Sequence, residues 1–168
     1  MKKFVVGVLF VMISTLSFGQ SISGSFAELA SCGKATFVIN FDDASIHGMS
    51  VADFECIETD WSKDLPEIKG YFIGHLMERL YGKLVVGYHV QSDCSINVQV
   101  LSISTKGDFI CDVTIKDGDR EVALIHGLYG NGGGFGTKLH LIKKGAKHTG
   151  NQLGTILFKE LEKVNKQK

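Results

Sequence analysis

Carboxylates, histidines, one tryptophan and a run of glycines are the residues of this chain whose types and spacing could do chemistry. Asp42 and Asp43 close an alternating stretch, and Glu55, Glu58 and Asp60 precede Trp61. Two carboxylates placed across a sugar would support acid–base hydrolysis, with Trp61 stacking on the ring. A small hydrolase using Asp42 or Asp43 with a loop histidine such as His47 is one reading. The plainer reading is a polar strand end and a tryptophan packed under a helix entry, because no aromatic groove residues stand nearby. No GxSxG elbow is present for a nucleophilic serine. The six histidines (His47, His75, His89, His126, His140 and His148) fall into none of the HxH, HxxxH or HExxH spacings. No metal and no cofactor are therefore expected. His75 reads as a helix-flank residue and His126, in parity with Val122 and Leu124, as a hydrogen-bonded sheet residue.

The segment Gly127 to Gly136 holds six glycines in ten residues, followed by Thr137 and Lys138. A phosphate cradle needs Gly-Lys-Ser/Thr opening a helix, so that backbone amides and the helix dipole converge on the anion. Here the order is Gly-Thr-Lys, and Thr137 to Ile142 alternates as a strand would. The run reads instead as a connection that presents Tyr129, Asn131, Gly133, Gly134 and Phe135 to a partner, joined by Trp61. Aromatic side chains on a glycine-rich loop suit partner contact.

The elements that must hold these residues follow from periodicity. Lys34 to Asp42 alternates, with Phe37, Ile39 and Phe41 on one face. Ser50 with Asp53 resembles a capping box opening a short helix through Cys56. Asp64-Leu65-Pro66-Glu67 has the marks of a helix start. Ile68, Phe72, Leu76 and Leu80 recur every fourth residue after it, and Gly82 suits the left-handed cap. Strands are expected over Leu84–Tyr88, Ser95–Ser104, Phe109–Ile115 and Glu121–Leu128, with Asp117-Gly118 as a hairpin turn. Opposite parities of Ile96, Val98 and Val100 against Leu101 and Ile103 imply a bulge or two covered faces. Leu153, Ile156, Leu157, Leu161 and Val164 define a closing helix. The expected fold is a two-layer α+β domain over 34–166, with a mixed, mainly antiparallel sheet of four to six strands packed against two helices. Residues 20–33, polar and Ser-rich, read as a loose lead-in.

Met1 to Gly19 reads as a signal peptide: Lys2 and Lys3, an apolar run from Phe4 to Leu16, then small residues at Ser17 and Gly19. Cleavage is expected between Gly19 and Gln20. The apolar run, about 13 residues, is short of the roughly 20 that cross a bilayer, so no stable membrane anchor is expected. Removal of this segment takes two of the 18 basic residues and none of the 18 acidic ones, leaving a net charge of −2. That charge and the absence of a basic stripe exclude a nucleic-acid binder. All four cysteines (Cys32, Cys56, Cys94 and Cys111) lie beyond the cleavage point, where an oxidising compartment permits disulfides. Cys56 and Cys111 fall in patterned stretches and read as buried thiols. Cys32 and Cys94 lie near expected loops and are the candidate pair.

Three segments together resemble a family of small exported proteins of unknown function from Gram-negative bacteria. They are the strand Phe37-Val38-Ile39-Asn40-Phe41-Asp42, the stretch Glu58-Thr59-Asp60-Trp61 before a long helix, and the loop Gly133-Gly134-Phe135-Gly136-Thr137 before a closing helix. The alternation of elements is also similar to the envelope module of curli-secretion-type and penicillin-binding-protein-activator lipoproteins. The resemblance implies one mixed sheet carrying helices and an envelope location, and it carries over no catalytic residues. No Cys stands where those lipoproteins are lipidated. The expected role is a periplasmic or secreted, non-enzymatic binding protein with an envelope protein as partner. A structural part of an exported assembly, built through edge strands, is the third reading.

Overall fold

A computed structural model describes residues 19–166. In chain order these form β1 (Ser21–Gly24), α1 (Ala27–Cys32), β2 (Lys34–Asn40), β3 (Ser45–Ile46), α2 (Val51–Ile57), α3 (Trp61–Leu80), β4 (Val85–Gly87), β5 (Cys94–Ile103), β6 (Phe109–Asp117), β7 (Arg120–Gly130) and α4 (Lys138–Lys166). The sheet runs β1-β7-β6-β5-β2-β4, with β3 pairing the far end of β5. β5, β6 and β7 form an antiparallel meander, whereas β2 pairs parallel with both β5 and β4. The class is α+β with a mixed sheet, and its seven strands and four helices among the described residues exceed the counts expected from the sequence. Apart from Gly19, the expected signal segment lies outside the described residues; Gly19 and Gln20 are exposed.

One sheet face makes the core. Phe37, Ile39, Ile96, Val98, Val100, Phe109, Val113 and Ile115 alternate into it and are buried. A register shift between Val100 and Ser102 lets Ile103 rejoin the core side while Leu101 faces out, so the mixed parity of β5 marks a bulge. The opposite face carries Thr36, Val38, Asn97, Gln99, Thr114 and His126, all half-buried or exposed.

The long helices cover the core face. Ile68, Phe72, Leu76 and Leu80 of α3 are fully buried, each contributing about 1.5–3 kcal/mol by leaving water. α3 begins at Trp61, three residues before the expected start at Asp64, so Pro66 lies inside it. α4 is one continuous helix from Lys138, and the strand expected over Thr137–Ile142 is its first turn. Two features hid it. Leu139 and Leu141 alternate by chance, and Gly145, Gly150 and Gly154 dilute the apolar stripe. Those glycines are the packing surface: a Cβ at Gly150 would stand 2.1 Å from the Phe72 carbonyl oxygen, and one at Gly154 2.5 Å from the Arg79 Cβ. Gly150 and Gly154 bring α4 against α3, and Gly145 brings it against the Gly107 backbone before β6.

Residues 20–33 are not a loose lead-in. β1 adds to the free edge of β7, and α1 buries Leu29 and ends at the left-handed Gly33. A disulfide joins Cys32, at the end of α1, to Cys94, at the start of β5. Cys111 is buried in the sheet, but Cys56 is exposed on α2, contrary to its amphipathic reading.

Candidate functional site

α2 and α3 are joined by Glu58, Thr59 and Asp60 in a tight turn. Ser50 caps α2, its hydroxyl accepting from the Asp53 N–H at 3.1 Å and donating to the Asp53 carboxylate at 2.6 Å. At the turn, the Trp61 N–H donates to the Glu58 carbonyl at 2.9 Å, which drives the indole inward. Trp61 is only 3% exposed and meets Phe54 edge-on at 5.3 Å and Phe41 at 6.2 Å. Its Nε1–H is buried without a hydrogen-bond partner. Such a donor costs about 1–3 kcal/mol. A crevice of about 120 Å³ opens between this turn and the first turn of α4, lined by Phe54, Glu58, Trp61, Asp64, Lys138 and Leu139 among others. The Lys138 ammonium spans its mouth to the Glu58 carboxylate.

His47 stands on the other side of Phe54, ring to ring at 5.1 Å. Its backbone is left-handed, φ 54°, and its N–H donates to the Ile103 carbonyl at 2.8 Å. A non-glycine residue in that region stores on the order of 1–3 kcal/mol. Its Nε2 is also buried and unpartnered. Burial foremost, then the Lys138 charge, lowers the His47 pKa; Glu58 pulls the other way. A strained backbone and two orphaned nitrogens thus gather around one phenyl ring.

The glycine loop reaches this place from β7. The Gly132 N–H donates to Asp108 Oδ1 at 2.9 Å, and a Cβ at Gly132 would stand 2.0 Å from the Lys106 carbonyl oxygen. The Asn131 carbonyl meets His148 Nδ1. Thr137 caps α4, its hydroxyl accepting from the His140 N–H at 3.3 Å. The loop does open a helix, but a carboxylate already holds one of its amides, which opposes a phosphate there. Phe135 at the tip is 93% exposed, and Ile57 on the crevice rim is 62% exposed.

The six residues expected to form one partner surface divide between two faces. Asn131, Gly133, Gly134 and Phe135 lie on the loop leading into Lys138; Lys138 lines the crevice with Trp61, but none of these four does. Trp61 itself is buried, so it can act only as a crevice wall. Tyr129 stands opposite Ile110 on the uncovered sheet face. Partial burial, then the Asp108 carboxylate, raises its pKa. Asp42 and Asp43 are exposed and line an open depression with Ser45, Gly48 and Ser50. His126 stands 2.7 Å from Asp112 and His75 2.7 Å from Glu78. Among the described residues no cluster of three or more His, Cys, Asp or Glu could hold a metal. Sequence reasoning placed Glu58 beside Trp61 but missed Phe54 and Lys138 as site residues. The capping box before Phe54 was the available signal, since it fixes where α2 ends and hence where Glu58 stands. Comparison with family models, curated proteins and solved structures finds no match.

Proposed function

We propose that the mature chain is an exported, non-enzymatic binding or accessory protein of the cell envelope, and that it engages its partner where the Phe135 loop meets the Trp61 crevice. The observation that carries this reading is the pairing of an almost fully exposed Phe135 with a crevice whose buried indole N–H lacks an acceptor. Exposed aromatic residues beside a polar notch are what a docking anchor needs. The Cys32–Cys94 disulfide suits an oxidising compartment, and among the described residues no helix is long and apolar enough to cross a membrane.

The test is crosslinking of the tagged mature protein in the envelope, followed by mass spectrometry. A partner crosslinked at Lys138 or Lys144 is expected with the wild type and lost with Phe135→Ala. Stability should change by less than about 0.5 kcal/mol, since Phe135 touches little. Equal capture by both proteins would overturn the reading.

A further inference from the structure

We infer that the surface carrying Ile57 and Phe135 pairs with the same surface of a second copy of this chain. The two-fold axis passes over the crevice mouth, and the acidic end of α2 in each copy lies against the lysine stripe of α4 in the other. This rests on that surface being the docking surface, and it names the partner.

Charge is spread unevenly along the chain. Acidic and basic residues number 18 each, yet from Val122 to Lys159 there are five lysines and no Asp or Glu. The fold gathers part of this stretch beside Phe135. His140, Lys144 and Lys147 recur three or four residues apart and so share one side of α4. Lys144 leans onto the glycine loop, where a Cβ at Gly133 would stand 3.3 Å from its Nζ. Lys106 is exposed on the turn packed against Gly132. Lys143 is paired with Glu67, but Lys106, Lys144 and Lys147 make no ion pair among the described residues. Across the crevice mouth the sign reverses. There α2 ends in Glu55, Cys56 and Ile57; Glu55 is exposed and makes no ion pair among the described residues either. Ile57 and Lys138 border the same opening, and the Lys138–Glu58 pair is the seam between the two halves.

Each half also holds one large apolar side chain in the open, Ile57 at 62% and Phe135 at 93% exposed. A surface with opposite signs on the two sides of a seam repels, through one half, any partner of uniform sign. An anionic bilayer and a wholly acidic segment are both of that kind. The match is a partner bearing the same two halves in reversed order. A second copy turned about a two-fold axis has that order by construction, because every pairing in an isologous contact occurs twice. Phe135 of each copy then covers Ile57 of the other, and Lys144 and Lys147 face Glu55. Apolar anchors at the centre with charges at the rim are the usual anatomy of such a contact. The contact closes on itself, so association stops at two.

Sedimentation velocity of the purified mature protein, loaded from about 1 μM to about 1 mM, tests this. The mass is expected to rise from one chain to two and no further. Phe135→Ala should weaken the pair at least about 10-fold. The charges are tested by exchange. Lys144→Glu with Lys147→Glu sets acid against acid in its own dimer, and Glu55→Lys sets base against base, so each variant alone should stay monomeric. Mixed in equal amounts they restore both contacts, and a heterodimer should form. Circular dichroism checks that each variant is folded. A monomer at about 1 mM would overturn the inference; so would a mass that grows past two chains, a dimer indifferent to Phe135→Ala, or a mixture that fails to pair. The docking reading is judged separately. A protein that is monomeric when pure but crosslinks a different envelope protein through Phe135 removes this inference and leaves that reading. A dimer that captures only itself in the envelope does the reverse.

Discussion

Phe54 is touched on two sides by rings that each hold a nitrogen without a partner, His47 and Trp61. The histidine titrates against the fold. Its folded pKa lies below the ordinary 6.5, so the unfolded chain takes up a proton first as pH falls. The contribution of neutral His47 is complete above about pH 6.5 and declines below it, toward the lower folded pKa. His47→Asn should flatten this part of the pH profile, since Asn tolerates the left-handed backbone and does not titrate. Thermal unfolding from pH 7.5 to 5 checks this. A wild type that loses no more stability than the variant would show His47 to be solvated.

α4 shows why an element can be hidden in a sequence and plain in a structure. α3 was legible because its apolar residues recur every fourth position and their burial drives the helix. α4 replaces much of its stripe with glycines, whose value lies in what approaches them. That approach is a tertiary fact with no local signature. The same limit applies to the site: Trp61 under a helix entry could be read from the chain, but its neighbours Lys138 and Glu58 are joined only when α4 docks. Residues 20–33 were passed over because β1 has no pattern of its own and exists only as an addition to β7. Gly150→Ala should cost about 1–3 kcal/mol by overpacking the α3 backbone, more if α4 shifts along its length. Gly134→Ala, with open space around it and an ordinary φ, should be within about 0.5 kcal/mol of neutral. Urea unfolding of both variants measures the contrast, and equal effects would mean that α4 is not seated on α3.

At the scale of the molecule, the Cys32–Cys94 bond ties the N-terminal layer to the central strand of the sheet. With a sequence separation of 62 between its ends, its removal should cost about 4 kcal/mol through the freedom returned to the unfolded chain. A Cys32→Ser, Cys94→Ser protein should show that loss in denaturant midpoint, with β1 and α1 the first segments to exchange amide hydrogens. An unchanged midpoint would make the bond incidental.

The position of that bond also sets a timetable. The growing chain presents Cys32 first, Cys56 next and Cys94 only later. The earliest ring open to Cys32 under oxidising conditions is therefore the wrong one, closed with a thiol that the finished fold leaves exposed on α2. The native ring must wait for β5, the strand on which β2 and β6 also depend for pairing. Correct oxidation and sheet assembly are thus expected to coincide, and a chain oxidised before β5 pairs would need thiol exchange to release Cys32 from Cys56.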